Sequence, residues 1–208
     1  MATKLEQLKE WAKQNVTMID LLPNNSNLQV TTRLIDVLED EVDEKYYLSE
    51  EKTRKLTLDH DLGGKLNMYD YNERDKIHSV NKVSPTLNTM QGGDRQPKIA
   101  IREATKQGYA IAEQGDSVNV SYPTSKTRRG RVGKQVAQTL QAGEVNQGVV
   151  MNDIRIRKLV PIETWRLQGF TDEQFYKAKE SGVSNSQLYK HSGNAVSVPV
   201  VDAIVKCL

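Results

Sequence analysis

The chain has 208 residues, 37% of them hydrophobic, and a formal net charge of +2, so it is long enough to bury a core and is not dominated by disorder. Its single cysteine, Cys207, excludes an internal disulfide and a cysteine zinc site, which favours a reduced, cytoplasmic protein. No apolar run approaches the roughly 20 residues that cross a bilayer, and the amino terminus lacks the apolar stretch of a signal peptide, so no membrane partner is expected.

Short helices are predicted in the amino-terminal quarter of the chain. An apolar stripe indicates a helix over residues 5–11, and a second apolar element covers residues 34–38. Ser49 precedes three charged residues and is predicted to cap a helix. The acidic residues that follow Leu38 are interpreted as a solvated surface rather than a metal site, because their spacing does not supply oxygen-ligand geometry.

The middle of the chain, from about Gly63 to Val150, is predicted to consist of short strands and long loops. Residues Ser117–Tyr122 alternate with period two, as a half-buried strand does. Val80–Leu87 and Gln135–Leu140 are weaker strand candidates, and one helix is predicted near Ile101–Tyr109. With helices at both ends of the chain, the fold class is predicted to be α+β.

Helices return in the last fifty residues. Pro161 is placed to begin a helix through Leu167 that stops near Gly169. A second short helix covers residues 172–181, and an amphipathic helix with an apolar stripe covers residues 197–208.

Two segments in this part of the chain carry a family resemblance. Residues 157–170 read RKLVPIETWRLQGF, and residues 187–200 read QLYKHSGNAVSVPV. They resemble the ninth and tenth conserved motifs of DNA cytosine-5 methyltransferases, in the same order. Residues 115–133 resemble the target-recognition region of bacterial and phage members, and residues 33–48 resemble the segment before it. The resemblance therefore covers roughly residues 31–208.

The same resemblance identifies what the sequence lacks. The Phe-x-Gly-x-Gly donor loop, the Glu-Asn-Val step and the Gln-x-Arg-x-Arg motif are missing. The family's nucleophilic cysteine follows a proline, whereas Cys207 follows Lys206. Because the reaction needs a thiolate and a donor site, no catalytic residue is expected in this chain. A catalytic chain or domain carrying motifs I to VIII is the expected partner.

Three functional parts follow from the resemblance. Residues 1–58 form a helical or linker segment, and residues 59–170 form the target-recognition domain with the ninth motif. Residues 171–208 hold the tenth motif and a terminal helix, which return to pack on an absent Rossmann-like catalytic domain.

A cluster of basic residues within the recognition region is predicted to bind double-stranded DNA. Five cations lie within nine residues and are interleaved with two glycines, which allow close approach to phosphates. A solvated basic loop is the alternative. Thr139 is placed at the DNA interface by the resemblance alone, and a packed strand threonine is its alternative. The predicted DNA contacts are Lys126, Arg128, Arg129, Arg131, Lys134 and Thr139.

The tenth motif implies a cofactor, S-adenosylmethionine, shared with the partner chain or missing domain. Asn194, Ala195 and Val196 are carried over as the residues that line the donor pocket, with alanine where the family usually has serine. A helix cap is the alternative role for Asn194. No metal is expected.

A further group of polar residues lies in and around the ninth motif. Arg157, Glu163 and Arg166 are predicted to form a polar scaffold between the recognition region and the hinge, and a structural role is favoured over a catalytic one.

The leading functional hypothesis is a DNA-recognition subunit of a split methyltransferase, inactive alone. The alternatives are a truncated stand-alone DNA-binding remnant and an excised fragment of a full-length enzyme.

Overall fold

The computed structural model describes residues 32–58, 98–142 and 146–206, together with the helical residues Glu6, Glu10 and Trp11. The strand candidate Val80–Leu87 lies outside the described residues. The chain divides into two compact units, Val30–Val198 and a smaller one composed of Met1–Gln29 and Pro199–Leu208.

The described part of the chain contains helices and antiparallel sheets, so the predicted α+β class is confirmed. Two strands form a hairpin: β1 (Ile99–Arg102) and β2 (Tyr109–Ala112). Four further strands pair antiparallel in the order β4-β3-β5-β6. They are β3 (Ser117–Asn119), β4 (Val132–Gly133), β5 (Gln147–Val150) and β6 (Ile156–Lys158).

The helix predicted near Ile101–Tyr109 is wrong, because this segment belongs to the β1–β2 hairpin. Ile99 and Ile101 are completely buried, and β-branched side chains favour a packed strand. Gly108 supplies the positive φ of +82° that the connecting turn requires. Its NH donates to the carbonyl of Thr105 at 3.0 Å. Local helical spacing is therefore overridden by cross-strand pairing.

The strand predicted over Ser117–Tyr122 is correct only at its amino-terminal end, where β3 covers Ser117–Asn119. The strand predicted over Gln135–Leu140 is wrong, because no residue of that segment is in a strand. Gln135 has a φ of +55°, which lies in the left-handed region and is incompatible with an extended strand.

The core of the strand region joins both sheets. Ile99, Ile101, Val118, Val150 and Ile156 belong to one buried cluster. At the rough rate of 25 cal/mol per Å² of apolar surface removed from water, such a cluster supplies the main stabilisation of small sheets. It fixes the position from which the loop after β3 leaves the sheet.

The described helices after residue 48 are α1 (Glu50–Leu56), α2 (Pro161–Leu167), α3 (Asp172–Glu180), α4 (Asn185–Asn194) and α5 (Val198–Val205). The predictions over 161–167 and 172–181 are confirmed to within one residue, and α5 covers most of the helix predicted over 197–208. Helix α4 was not predicted from the sequence. The Oγ atom of Ser49 accepts a hydrogen bond from the NH of Lys52 at 3.4 Å, so the predicted cap is confirmed. Residues 34–37 form a 3-10 helix.

Trp165 is the centre of the helical core. Its ring lies 5.2 Å from that of Phe170 and 5.7 Å from that of Phe175. Its Nε1 donates to the carbonyl of Leu188 at 2.9 Å, so the one polar atom of the indole is satisfied as burial requires. This cluster packs α2, α3 and α4 together.

A buried ion pair connects the strand region to the helical core. The Arg157 guanidinium on β6 donates to both carboxylate oxygens of Glu163 on α2, at 2.7 and 2.9 Å. Both side chains are 0% exposed. The same carboxylate accepts from the NH of Val160 at 2.7 Å and from the NH of Glu39 at 2.8 Å. One carboxylate therefore joins a strand, the start of a helix and the loop after the 3-10 helix.

Arg166 completes the predicted polar scaffold. Its guanidinium pairs with Glu39 at 2.5 Å and with Asp172 at 2.6 Å. The hydrogen bond to Asp172 is the main cause that raises the pKa of Arg166, and it lowers the pKa of Asp172. The structural role predicted for Arg157, Glu163 and Arg166 agrees with these contacts.

The carboxy-terminal helix α5 carries several exposed apolar side chains, among them Val200, Val201 and Val205. Within the described residues, no helix is long and apolar enough to span a membrane.

We predict that Glu163→Ala lowers the free energy of unfolding by about 3–5 kcal/mol, because it leaves the buried Arg157 charge unpaired. Thermal or denaturant unfolding measures this. The control is Glu173→Ala on α3, whose exposed ion pair with Lys177 spans 4.0 Å and contributes about 0–1 kcal/mol. Equal effects of the two substitutions would contradict the assigned role of Glu163.

Candidate nucleic-acid interface

The cationic loop (residues 120–131) connects β3 to β4 and lies against the β1–β2 hairpin. Lys126 and Arg129 are exposed, and Arg128 is partly buried. The carbonyl of Arg128 accepts from the NH of Ala104 at 2.8 Å, and the Arg129 Nε donates to the Ala104 carbonyl at 2.9 Å. The hairpin turn adds an exposed lysine, Lys106. The two segments therefore form one positively charged surface that can neutralise phosphates.

Arg131 has a different role from its neighbours in the sequence, because its side chain is only 1% exposed. Its Nη1 donates to the carbonyls of Asn119 and Ser121 at 3.0 and 2.9 Å, and its Nη2 donates to the carbonyl of Tyr122 at 2.7 Å. Burial lowers the pKa of Arg131, and the charge of Arg128 adds to this effect. The structure thus places this predicted DNA contact inside the loop, where it holds three backbone carbonyls.

Lys134 is 58% exposed, but its Nζ lies 2.7 Å from the carboxylate of Asp116 and 3.7 Å from that of Glu113. Asp116 is completely buried and also accepts hydrogen bonds from the NH groups of Glu113 and Gln135. A buried carboxylate needs such partners. The charge of Lys134 is therefore directed towards Asp116.

Thr139 is exposed on a segment that side chains hold in place. The Gln147 carboxamide bonds both the NH and the carbonyl of Gln138, with its Oε1 2.9 Å from that NH. Asn146 Nδ2 donates to the Thr139 carbonyl at 3.3 Å. These amides take the place of a neighbouring strand, which explains how the segment is fixed without being part of a sheet.

A groove of about 380 Å³ separates this segment from the carboxy-terminal end of α4. Its lining comes from the segment 137–140, from Leu167 and Gln168, and from Gly193 and Ala195. The structure therefore brings Thr139 and Ala195, predicted for two different ligands, to the same groove. Asn194 and Val196 are exposed beside it.

The carboxy-terminal end of α4 lies within the segment that resembles the tenth motif. Asn194 is the last residue of α4, and Ala195 is the capping residue, whose NH donates to the His191 carbonyl at 3.0 Å. A Cβ on Gly193 would lie 2.6 Å from the nitrogen of Ala142 and 2.7 Å from the carbonyl carbon of Gln141. Only glycine allows α4 to approach the backbone of Gln141 and Ala142 so closely.

Two residues that hold the segment 137–140 in place, Asn146 and Gln147, lie outside the segments that carry the family resemblance. Burial of Gln147, at 1% exposure, follows from strand pairing that no local pattern reveals. The only sequence signal for its burial is its position directly before the apolar run Gly148–Val150. Among the described residues, no group of three or more His, Cys, Asp or Glu side chains could hold a metal ion.

Comparison with known proteins identifies a family. The family model described as "C-5 cytosine-specific DNA methylase" matches residues 5–208. The match begins before residue 31, where the sequence resemblance was expected to start, so the predicted coverage was too short.

Several curated relatives are methyltransferases by name. The chain is 38% identical over 193 residues to "Orphan methyltransferase M.SPBetaI" of Bacillus phage SPbeta and to "Putative type II methyltransferase M.BsuMIIP" of Bacillus subtilis (strain 168), covering 84% of this chain and 42% of each relative. It is 30% identical over 247 residues to "Orphan methyltransferase M.SPRI" of Bacillus phage SPR, covering 98% and 56%. The chain thus spans about half the length of these relatives. None of the solved structures matches it.

We predict that Gly193→Ala lowers the free energy of unfolding by about 1–3 kcal/mol, because the new methyl group overlaps the backbone of Gln141 and Ala142. Thermal unfolding measures this. In an open helical site the same change would instead stabilise by about 0.5–1 kcal/mol. Ser186→Ala, at an exposed position of the same helix, is the control. A stability equal to or above that of the unaltered protein would contradict the close packing.

Proposed function

Since the chain belongs to the C-5 cytosine-specific DNA methylase family, we propose that it is the DNA-recognition part or subunit of a DNA (cytosine-5-)-methyltransferase. Another chain or domain supplies motifs I to VIII, and the chain is inactive alone. The observation that carries this proposal is an exposed cationic surface on a sheet whose strand β6 is joined to α2 by a buried ion pair. Trp165 on α2 in turn bonds Leu188, in the segment that resembles the tenth motif. Residues 59–170 are the recognition domain in this proposal.

Duplex DNA binds to the surface formed by the cationic loop and the hairpin turn. Lys126, Arg128 and Arg129 neutralise phosphates, and an arginine can also read the two acceptors of guanine in the major groove. Arg131 and Lys134 support the fold instead and are not among the proposed contacts. Thr139 remains a proposed contact because it is exposed at the groove. Binding of this kind holds the duplex while the target base leaves the stack.

S-adenosylmethionine is the methyl donor that membership in this family implies, and when bound it supplies the methyl group that is transferred. The residues present fit one wall of its site: Ala195 lines the groove, and Asn194 and Val196 are exposed beside it. We propose that Asn194 contributes its carboxamide and the backbone contributes the remaining contacts. Ala195 lacks the hydroxyl of the serine that the family usually has here, so one hydrogen bond worth about 1 kcal/mol is lost.

The catalytic part also needs a contact surface on this chain. Helix α5 supplies one, because its exposed valines form an apolar surface that water disfavours. In a covalently continuous enzyme and in a split one, this helix packs against the donor-binding part. A stand-alone DNA-binding remnant would not need that contact.

We predict that Lys126→Ala together with Arg129→Ala weakens binding to duplex DNA and flattens its salt dependence. Removing one phosphate contact lowers the slope of log affinity against log salt by about 0.9. Fluorescence anisotropy over a salt series measures both the affinity and the slope. The charge-matched control is Lys177→Ala with Lys179→Ala on α3, both exposed. An unchanged slope in the loop variant would exclude this loop as the DNA contact.

We further predict that the purified chain alone transfers no methyl group, whereas a mixture with the chain encoded beside it does. Transfer of tritium from labelled S-adenosylmethionine to duplex DNA measures this, and size-exclusion chromatography reports the complex. Asn194→Ala should raise the KM for the donor in the mixture without affecting complex formation. Activity of the chain by itself would contradict the proposal, and failure of the mixture to form a complex would favour the stand-alone remnant.

A further inference from the structure

We infer that Tyr122 is a DNA-contacting residue, whose ring is presented to the duplex by the buried side chain of Arg131. The inference rests on the proposed function and extends it, because it adds a neutral aromatic group to a surface that otherwise binds through its charges. Arg131 is a positioning residue in this arrangement.

The backbone of Tyr122 is in an unusual conformation. Its φ is +47°, in the left-handed region that costs a non-glycine residue roughly 1–2 kcal/mol in general. Such conformations persist where the surrounding structure determines them, and they concentrate at functional sites. The conformation at Tyr122 therefore requires a structural cause, and it makes the residue a candidate for a functional role.

The structural cause is a set of hydrogen bonds to one carbonyl. The carbonyl of Tyr122 accepts from Arg131 Nη2 at 2.7 Å and from the NH of Ser125 at 3.0 Å. Arg131 also holds the carbonyl of Ser121, and the NH of Ser121 donates to the Asn119 side chain at 3.1 Å. The start of the cationic loop is thus fixed from β3 onwards, and this sets the direction in which the Cα–Cβ bond of Tyr122 leaves the loop.

The use follows from what the ring does not contact. Tyr122 is 74% exposed, more than any other large hydrophobic side chain of the described residues. Within those residues its ring stacks on no other ring, and its hydroxyl has no hydrogen-bond partner. A large amphipathic side chain thus stands in water on a backbone that Arg131 holds.

The neighbouring positive charges favour a polyanion as the ligand, and the proposed function makes that polyanion duplex DNA. Lys126 and Arg129 lie in the same loop and are exposed, so they attract the phosphate backbone to the surface from which the ring projects. A tyrosine ring packs on sugars and on the apolar edges of bases, and its hydroxyl can donate to an acceptor. The cations then provide salt-dependent affinity, and Tyr122 adds a contact that is independent of salt.

The test compares Tyr122→Asn with the unaltered chain in binding to a fluorescent mixed-sequence DNA duplex. Asparagine tolerates the left-handed conformation, so the variant removes the ring and keeps the loop. We expect affinity to fall about fivefold or more with an unchanged salt slope, because aromatic contacts carry no charge. Tyr122→Phe should retain most of the affinity. Tyr176→Ala, at an exposed tyrosine of α3, is the matched control and should bind as the unaltered chain does.

A double-mutant cycle tests the role of Arg131. Arg131→Lys should weaken DNA binding more strongly when Tyr122 is present than in the Tyr122→Asn background, because only the first loses the positioned ring, whereas it should lower the unfolding temperature equally in both. Equal effects on DNA affinity in both backgrounds would reduce Arg131 to a general structural residue and overturn its positioning role.

The remaining outcomes separate this inference from the proposed function. If Tyr122→Asn binds DNA as tightly as the unaltered chain while Lys126→Ala with Arg129→Ala binds more weakly, the contact by Tyr122 is wrong and the proposed function stands. If the unaltered chain shows no affinity for duplex DNA, the proposed function and this inference both fail.

Discussion

The buried pair of Arg157 and Glu163 is the interaction on which the arrangement of the site depends. Two charges removed from water cost several kcal/mol each, and only multiple hydrogen bonds of good geometry offset that cost. Glu163 receives four such bonds, from Arg157, Val160 and Glu39. These donors come from β6, from the start of α2 and from the loop after the 3-10 helix. Displacing β6 from α2 would leave a buried charge unpaired, and displacing the loop would remove a hydrogen bond from the buried carboxylate. The sheet that carries the cationic loop is therefore held in a fixed relation to α2, and through Trp165 to α4 at the groove.

The elements that could be predicted from the sequence are those whose determinants are local. Pro161 begins α2, and the helix over residues 172–180 ends before Gly182, whose φ is +90°, as the proline and glycine preferences indicate. The β1–β2 hairpin could not be predicted in this way, because the burial of Ile101 depends on its pairing with Ala110. The strand prediction over 135–140 failed for a related reason: the hydrogen-bond partner of Gln138 is the Gln147 side chain rather than a strand. Pattern recognition detects periodicity, and it does not detect which distant group completes the hydrogen bonds.

At the candidate site, residues of one chemical type also differ in whether the local sequence predicts their role. Five cations within nine residues indicate a DNA-binding loop, but charge density in a sequence does not reveal where each side chain points. Lys126 and Arg129 face solvent, whereas Lys134 pairs with the buried Asp116 and Arg131 is enclosed. Arginine suits the enclosed position because its planar fork of donors can serve several carbonyls at once, which a lysine ammonium does less well. The backbone carbonyls that surround the guanidinium, and not the local sequence, determine that role.

The fixed conformation of the cationic loop bears on how the loop would recognise DNA. A loop whose only function was electrostatic attraction could perform it while mobile, since the counterion-release contribution to affinity depends on charge and is independent of sequence. The cationic loop is instead fixed by Arg131 from within and by the Ala104 backbone from the side. Ordering a loop before binding reduces the entropy lost on association and makes the outcome depend on shape. Under the proposed function, the energetic cost of burying Arg131 and of holding Tyr122 at positive φ serves discrimination among DNA surfaces, and the exposed lysine and arginine side chains supply general affinity.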